Sequence, residues 1–323
     1  MNHCNVKGRL LMLQRGWTLV ELLVAMTLSL LVIAGIGKIY LAAKRSYDIQ
    51  NSLARLQDDG RYATEVITQD IRRAGYWGVM NMQAAIGNIT DPPAAAPPNP
   101  TPTCIANNTW GKMVTEKLFG LNDTSGNYTC ISRMQGDVLT VRYGDPTTTT
   151  PYGGTALYMR ATPLGGTIGT GPAGPVAAGA GPTSDLELVA HAYYVATSNS
   201  ARECGKATTP FLPALDREYL ITTGANIGNP RSEELVTGVE QLQFQFGVDT
   251  DGDPTHSVDQ YMNADAVGNW PNVRSVRFWI LVKNDCPDAS YTDPNTYNMG
   301  DVAYTPGDNY RRALYTSTVT LRN

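Results

Sequence analysis

The chain reads as an α+β protein in which one long N-terminal helix, membrane-spanning at its start and amphipathic further on, packs on an antiparallel β-sheet head with additional strands and long loops. Three observations predict this. Residues 17–37, WTLVELLVAMTLSLLVIAGIG, carry a single charge. No proline occurs between residues 1 and 91. Several segments beyond residue 136 alternate apolar and polar positions with the period of two that a half-buried strand requires.

The apolar run comes first. As a helix it is about 32 Å long at about 1.5 Å per residue, enough to cross a hydrocarbon core of about 30 Å. A removable secretory signal would be shorter and followed by a small-x-small site, whereas this run continues into LAAKRS. Residues 17–44 are read as the transmembrane half of the helix and 45–78 as its amphipathic half, with the helix ending near residue 74. Leu53, Leu56, Val66, Ile67, Ile71 and Ala74 recur near helical spacing and form the stripe expected to face the head. Asp58, Asp59, Arg61, Asp70, Arg72 and Arg73 are assigned to the solvated face. Gly35, Gly37 and Gly60 are weak points, each costing up to about 1 kcal/mol against Ala. Close packing or local melting could explain them.

The head occupies 79–323. DPPAAAPPNPTPT at 91–103 is an extended connection, and 144–183 is a Gly/Thr/Pro-rich loop with one short strand at 156–160. Strands are expected at 137–143, 186–197, 218–223, 239–248, 273–284 and 313–322. In the fourth, Leu242, Phe244 and Phe246 alternate with Gln241, Gln243 and Gln245, which predicts one buried face and one wet face.

The 323 residues carry a formal charge of −4, which leaves no basic surface for phosphate neutralisation and argues against a nucleic-acid partner. There are three histidines, and no GxSxG elbow, HExxH helix or Walker loop, so an enzyme is not expected. His191 falls inside a strand pattern and is read as a structural histidine. Asp249, Asp251 and Asp253 in VDTDGDPT open like an oxygen-rich calcium loop. Pro254 at the sixth position and Gln260 at the twelfth then depart from an EF-hand. Calcium in another geometry and a plain Asp/Gly turn are the two readings, and no other cofactor is suggested.

Glu21 stands alone in the apolar run, and an isolated carboxylate there costs a few kcal/mol and calls for a partner. A cut after Gly16 would supply one, because the freed α-amino group of Trp17 has a reference pKa of about 7.7–8.0. Glu21 of one subunit could then pair with Trp17 of its neighbour and set the register between packed helices. The cut also removes Cys4, leaving Cys104, Cys130, Cys204 and Cys286. They lack CxxC spacing, which disfavours zinc; two disulfides in an oxidising compartment are favoured, with free buried thiols as the alternative. Of three connectivities, Cys104–Cys130 with Cys204–Cys286 crosses the chain least.

QRGWTLVELLVAM resembles the class III signal of type IV prepilins and pseudopilins: a short basic leader, a terminal Gly16, an aromatic first mature residue and an acid at the fifth, Glu21. Trp17 stands where the family usually has Phe. LARLQDDGRYATEVITQDIRRAGYWG, ELVTGVEQLQFQFGVDTDGD, NVRSVRFWILVKN and RRALYTSTVTLRN resemble the PilW family of minor pilins. The resemblance implies a type IV pilin-like fold, cleavage after Gly16 by prepilin peptidase, and N-methylation of Trp17. It also implies an inner-membrane precursor with a periplasmic head and a place in a tip or priming complex. The partners there would be other minor pilins, the major pilin and a PilY-type adhesin. A type II secretion pseudopilin and a calcium-dependent adhesion module are the alternatives.

Overall fold

The computed structural model describes residues 18–80, 109–112, 114, 116–123, 136–145, 157–170, 182–205, 210–221, 229–252 and 257–322. Gly16, Trp17, Cys104, Cys130, Asp253 and the proline-rich run at 91–103 lie outside them. The chain divides into two compact units, residues 1–51 and 52–323. Helix α1, Leu19–Arg73, contributes to both.

In the first unit α1 is rich in Leu and Ala, which favour helix, and its apolar side chains are exposed, Leu19 by 81% and Ile39 by 71%. Thr27 Oγ1 donates to Val24 O at 2.9 Å and Ser29 Oγ to Ala25 O at 2.7 Å, so these hydroxyls are satisfied within the helix itself.

In the second unit, Leu56, Ala63, Ile67 and Ile71 make one buried stripe at helical spacing. Burying a side chain such as Ile67 or Ile71 contributes roughly 1.5–3 kcal/mol. Leu53, expected in that stripe, is 40% exposed and lies off it. Arg72 and Arg73 in the last turn complement the helix dipole. Gly75, at φ +76°, then turns the chain out of the helix, and its N–H donates to Arg142 O at 2.9 Å.

Short helix α2, Thr109–Lys112, precedes a seven-stranded antiparallel sheet. Its strands are β1 (Leu118–Leu121), β2 (Val138–Asp145), β3 (Leu157–Thr162), β4 (Gly165–Thr170), β5 (Ser184–Arg202), β6 (Phe211–Leu220) and β7 (Pro230–Thr237). The 19-residue β5 is its spine, pairing with β2 along one edge and with β3 and then β6 along the other. A second sheet has the order β13-β10-β8-β9, from β8 (Val239–Val248), β9 (Gln260–Met262), β10 (Val273–Lys283) and β13 (Arg312–Thr320). A hairpin of β11 (Tyr297–Met299) and β12 (Val302–Tyr304) pairs with neither sheet.

The α1 stripe, Tyr193 and Val195 of β5, and Leu242, Phe244, Phe246, Val276, Phe278 and Ile280 of β8 and β10 belong to one core. The apolar face of the second sheet is thus the one its alternation predicts. Its opposite face is not wet. Gln241 and Gln243 are 5% and 1% exposed, because Gln243 lies opposite Trp279 and Gln241 opposite Leu281. The β11–β12 hairpin adds Tyr297 and Met299 to that side. Gly300 turns the hairpin at φ +63°, a position where a Cβ would stand 3.3 Å from the Trp279 ring. Buried Arg312 sits among Glu240, Asp293 and Asp308 at 2.6, 3.3 and 2.5 Å. A cover built from residues some 50 positions downstream leaves no mark on the local period of β8.

Two other expectations change. The segment 144–183 contains two paired strands, β3 and β4, not one, and β3 is hydrogen-bonded to β5. The strand expected at 218–223 is β6 at Phe211–Leu220, starting earlier despite Pro213, because Pro213 sits beside a register irregularity at the end of its pairing with Thr197.

Candidate functional site

Four places carry the expected functional residues: the start of α1, the polar centre of the head, the acidic loop and the cysteines.

Thr18 precedes the first helical residue, and its Oγ1 accepts the Glu21 N–H at 3.3 Å while Leu22 N–H donates to Thr18 O at 3.2 Å. Thr18 is therefore the N-cap and Glu21 the third residue of the helix, the T-x-x-E spacing of a capping box. That signal was present in the sequence and went unread. An acid in the first turn also faces the positive end of the helix dipole, which gives Glu21 a local role. The helix is long and apolar enough to cross a membrane, with a best window of mean hydropathy 2.5 that is 0% buried.

In the second unit, Asp70 belongs to the core, not to the solvated face assigned to it. It is 5% exposed, with Tyr143 Oη donating to Oδ1 at 2.8 Å and Tyr193 Oη to Oδ2 at 2.5 Å. His191 Nδ1 lies 2.5 Å from Oδ2. Burial alone would raise the Asp70 pKa, but hydrogen bonds and charge from His191, with the two tyrosine hydroxyls, outweigh it and hold the carboxyl below its usual value. One helix residue is thus tied to β2 and β5 by a charge-assisted network. His191, expected as a structural histidine, lies against the buried Asp70 carboxylate. Periodicity could not mark Asp70, because a carboxylate on the buried stripe looks like a carboxylate beside it until its partners are known.

Elsewhere in the head, burial pushes the Asp137 carboxyl up to about 8, although Phe244 N–H donates to it at 2.7 Å and Asp123 N–H at 3.1 Å. Nearby Asp123 and Asp301 push it in the same direction.

The acidic loop joins β8 to β9. Asp249 and Asp251 come together there with Asp259, which the sequence reading missed, their ligand oxygens within 4.8 Å of one another. Buried Asp249 accepts Gly252 N–H at 2.9 Å and Arg274 Nη2 at 3.1 Å. Asp259 Oδ2 accepts Thr250 N–H at 2.7 Å and Thr250 Oγ1 at 2.8 Å, and these bonds lower its pKa. The loop is closed by its own donors and an arginine. Asp259 lies beyond the run of alternating acids and enters only because β9 folds back onto β8.

Cys204 and Cys286 are free thiols brought into side-chain contact. Cys204 N–H donates to Asp285 O at 2.9 Å. Burial first, and then the Cys204 side chain, push the Cys286 thiol up to about 12.

Residues 192–323 match the family model described as Type IV Pilus-assembly protein W, PilW. The match runs from within β5 to the C-terminus and includes the second sheet, the β11–β12 hairpin, the acidic loop and both contacting cysteines. Among solved structures, the type IV-like pilin TTHA1219 from Thermus thermophilus is 13% identical, over 83% of this chain and 96% of that one, with a TM-score of 0.36. No curated protein matches the chain. The likeness to the PilW family of type IV pilus-assembly proteins thus rests on residues 192–323.

Proposed function

We propose that this protein is a minor pilin: a structural subunit of the tip or priming complex that starts a type IV pilus, working with other minor pilins, the major pilin and a PilY-type adhesin. The observation that carries the reading is the presence, in one chain, of residues 192–323 that match the PilW family model and an exposed apolar helix that has one acid in its first turn. An exposed apolar surface of that length needs lipid or other apolar helices around it. On this reading prepilin peptidase cuts after Gly16 and Trp17 is N-methylated. The precursor waits in the inner membrane with its head in the periplasm, and Glu21 then docks on the α-amino group of a neighbouring subunit in the filament. The protein works as a building block, so the buried Asp70–His191 network supports the head and performs no chemistry. Quantifying the chain in sheared filaments tests the proposal. A small fraction relative to the major subunit is expected, and stoichiometric amounts or complete absence would refute it.

A further inference from the structure

We propose that Cys204 and Cys286 are joined in the mature protein by a disulfide that locks the β5–β6 turn of the seven-stranded sheet to the segment leaving β10 of the second sheet. Four observations converge on this pair. The side chains are already in contact, and the Cys204 N–H bond to Asp285 O fixes the two backbones beside each other. Cys204 has φ 53°, and it is the one non-glycine residue with positive φ among the described residues. Its neighbour Gly205 also has positive φ, at 62°. A left-handed conformation disfavours any side chain with a Cβ and persists only where the surroundings impose it, so a cysteine there needs an offsetting contribution that a cross-link provides. The seam is held on its flank by Lys283 Nζ, 3.1 Å from Glu203 and 4.6 Å from the Tyr310 ring centre, so little chain motion is needed to close the bond. Access is also present: both cysteines are partly exposed, and a cavity of about 380 Å³ bordered by Gly205, Asp285, Arg55 and Asp59 adjoins them.

The chemistry balances with an oxidised dithiol exchange protein as the oxidant. One cysteine thiolate attacks the oxidant's disulfide and displaces one of its sulfurs as a thiolate. The second cysteine, as thiolate, attacks the mixed disulfide and releases the other sulfur. The Cys204–Cys286 S–S bond forms, the oxidant leaves as a dithiol, and the two protons lost from the cysteines end on it. Closing a loop of about 80 residues restricts the unfolded chain strongly. The bond would span the two sheets of the head, which the backbone hydrogen bonds of each sheet cannot do.

The test uses the full mature chain, equilibrated in an oxidising glutathione buffer, alkylated and digested with trypsin without reductant. The expected product is the peptide Glu203–Lys206 linked to Asn284–Arg311, two hydrogens lighter than their sum. Two separately alkylated peptides, or a link from either to Cys104 or Cys130, would overturn the assignment. Melting supplies the second readout. Reduction, Cys286→Ser and Cys204→Gly should each lower Tm by roughly 5–10 °C. Cys204→Gly separates cross-link from strain, because glycine relaxes the left-handed position. If that variant melts as high as the oxidised wild type, the bond does not lock the sheets.

Discussion

Gly60 of α1 lies directly beneath the ring of Tyr315 on β13, so close that a Cβ at position 60 would stand 2.0 Å from Tyr315 Cε2. The Tyr315 hydroxyl donates to Leu56 O at 3.0 Å, one turn earlier on the same helix. The glycine is therefore a seat for the ring, and close packing is the reason for it. Gly60→Ala should destabilise the head by roughly 1–3 kcal/mol through overpacking, against a helix-propensity gain of about 1 kcal/mol. Tyr315→Ala in the same chain should restore part of the loss, and chemical denaturation of the single and double variants measures the coupling. A stabilised Gly60→Ala would show that the ring moves aside freely.

Asp70→Asn should cost roughly 2–3 kcal/mol near neutral pH, because it removes the charge that two tyrosine hydroxyls and His191 share. The folded Asp70 pKa is lowered, so its contribution is full above the unfolded carboxyl value of about 3.9 and is lost as pH falls through the folded value. The difference between wild type and variant should therefore shrink in acid. Denaturation midpoints across that range check it, and a gap that stays constant or widens would contradict the network.

At the other end of α1, Glu21→Ala should leave membrane insertion intact and impair incorporation into filaments, as followed by fractionation and immunodetection. Replacing Gly16 should leave the leader attached and block assembly. Normal incorporation of Glu21→Ala would leave Glu21 only its place in the first turn of α1, at the positive end of the helix dipole.

A calcium ion at Asp249, Asp251 and Asp259 should raise Tm in millimolar calcium over chelator by mass action on the folded state, and Asp259→Asn should abolish the rise. Equal melting temperatures would identify the loop as a turn closed by Arg274 and backbone donors.

The regular elements were legible because their causes are local. The 55-residue helix, β8 at Val239–Val248 and β10 at Val273–Lys283 follow from apolar periods of 3.6 and 2 with few interruptions. The T-x-x-E spacing of Thr18 and Glu21 is equally local. By itself, then, the sequence determined the long helix, the antiparallel sheets and the buried faces of β8 and β10. Only the tertiary structure decided that Asp70 is core, that Gly60 receives Tyr315, that Gln241 and Gln243 lie under cover, and that Asp259 joins the acidic loop. Each depends on a partner far away in the chain, His191 for Asp70 and β13 for Gly60. Periodicity reports which way a residue points along its own element, and only the packing of distant elements reports what it meets there.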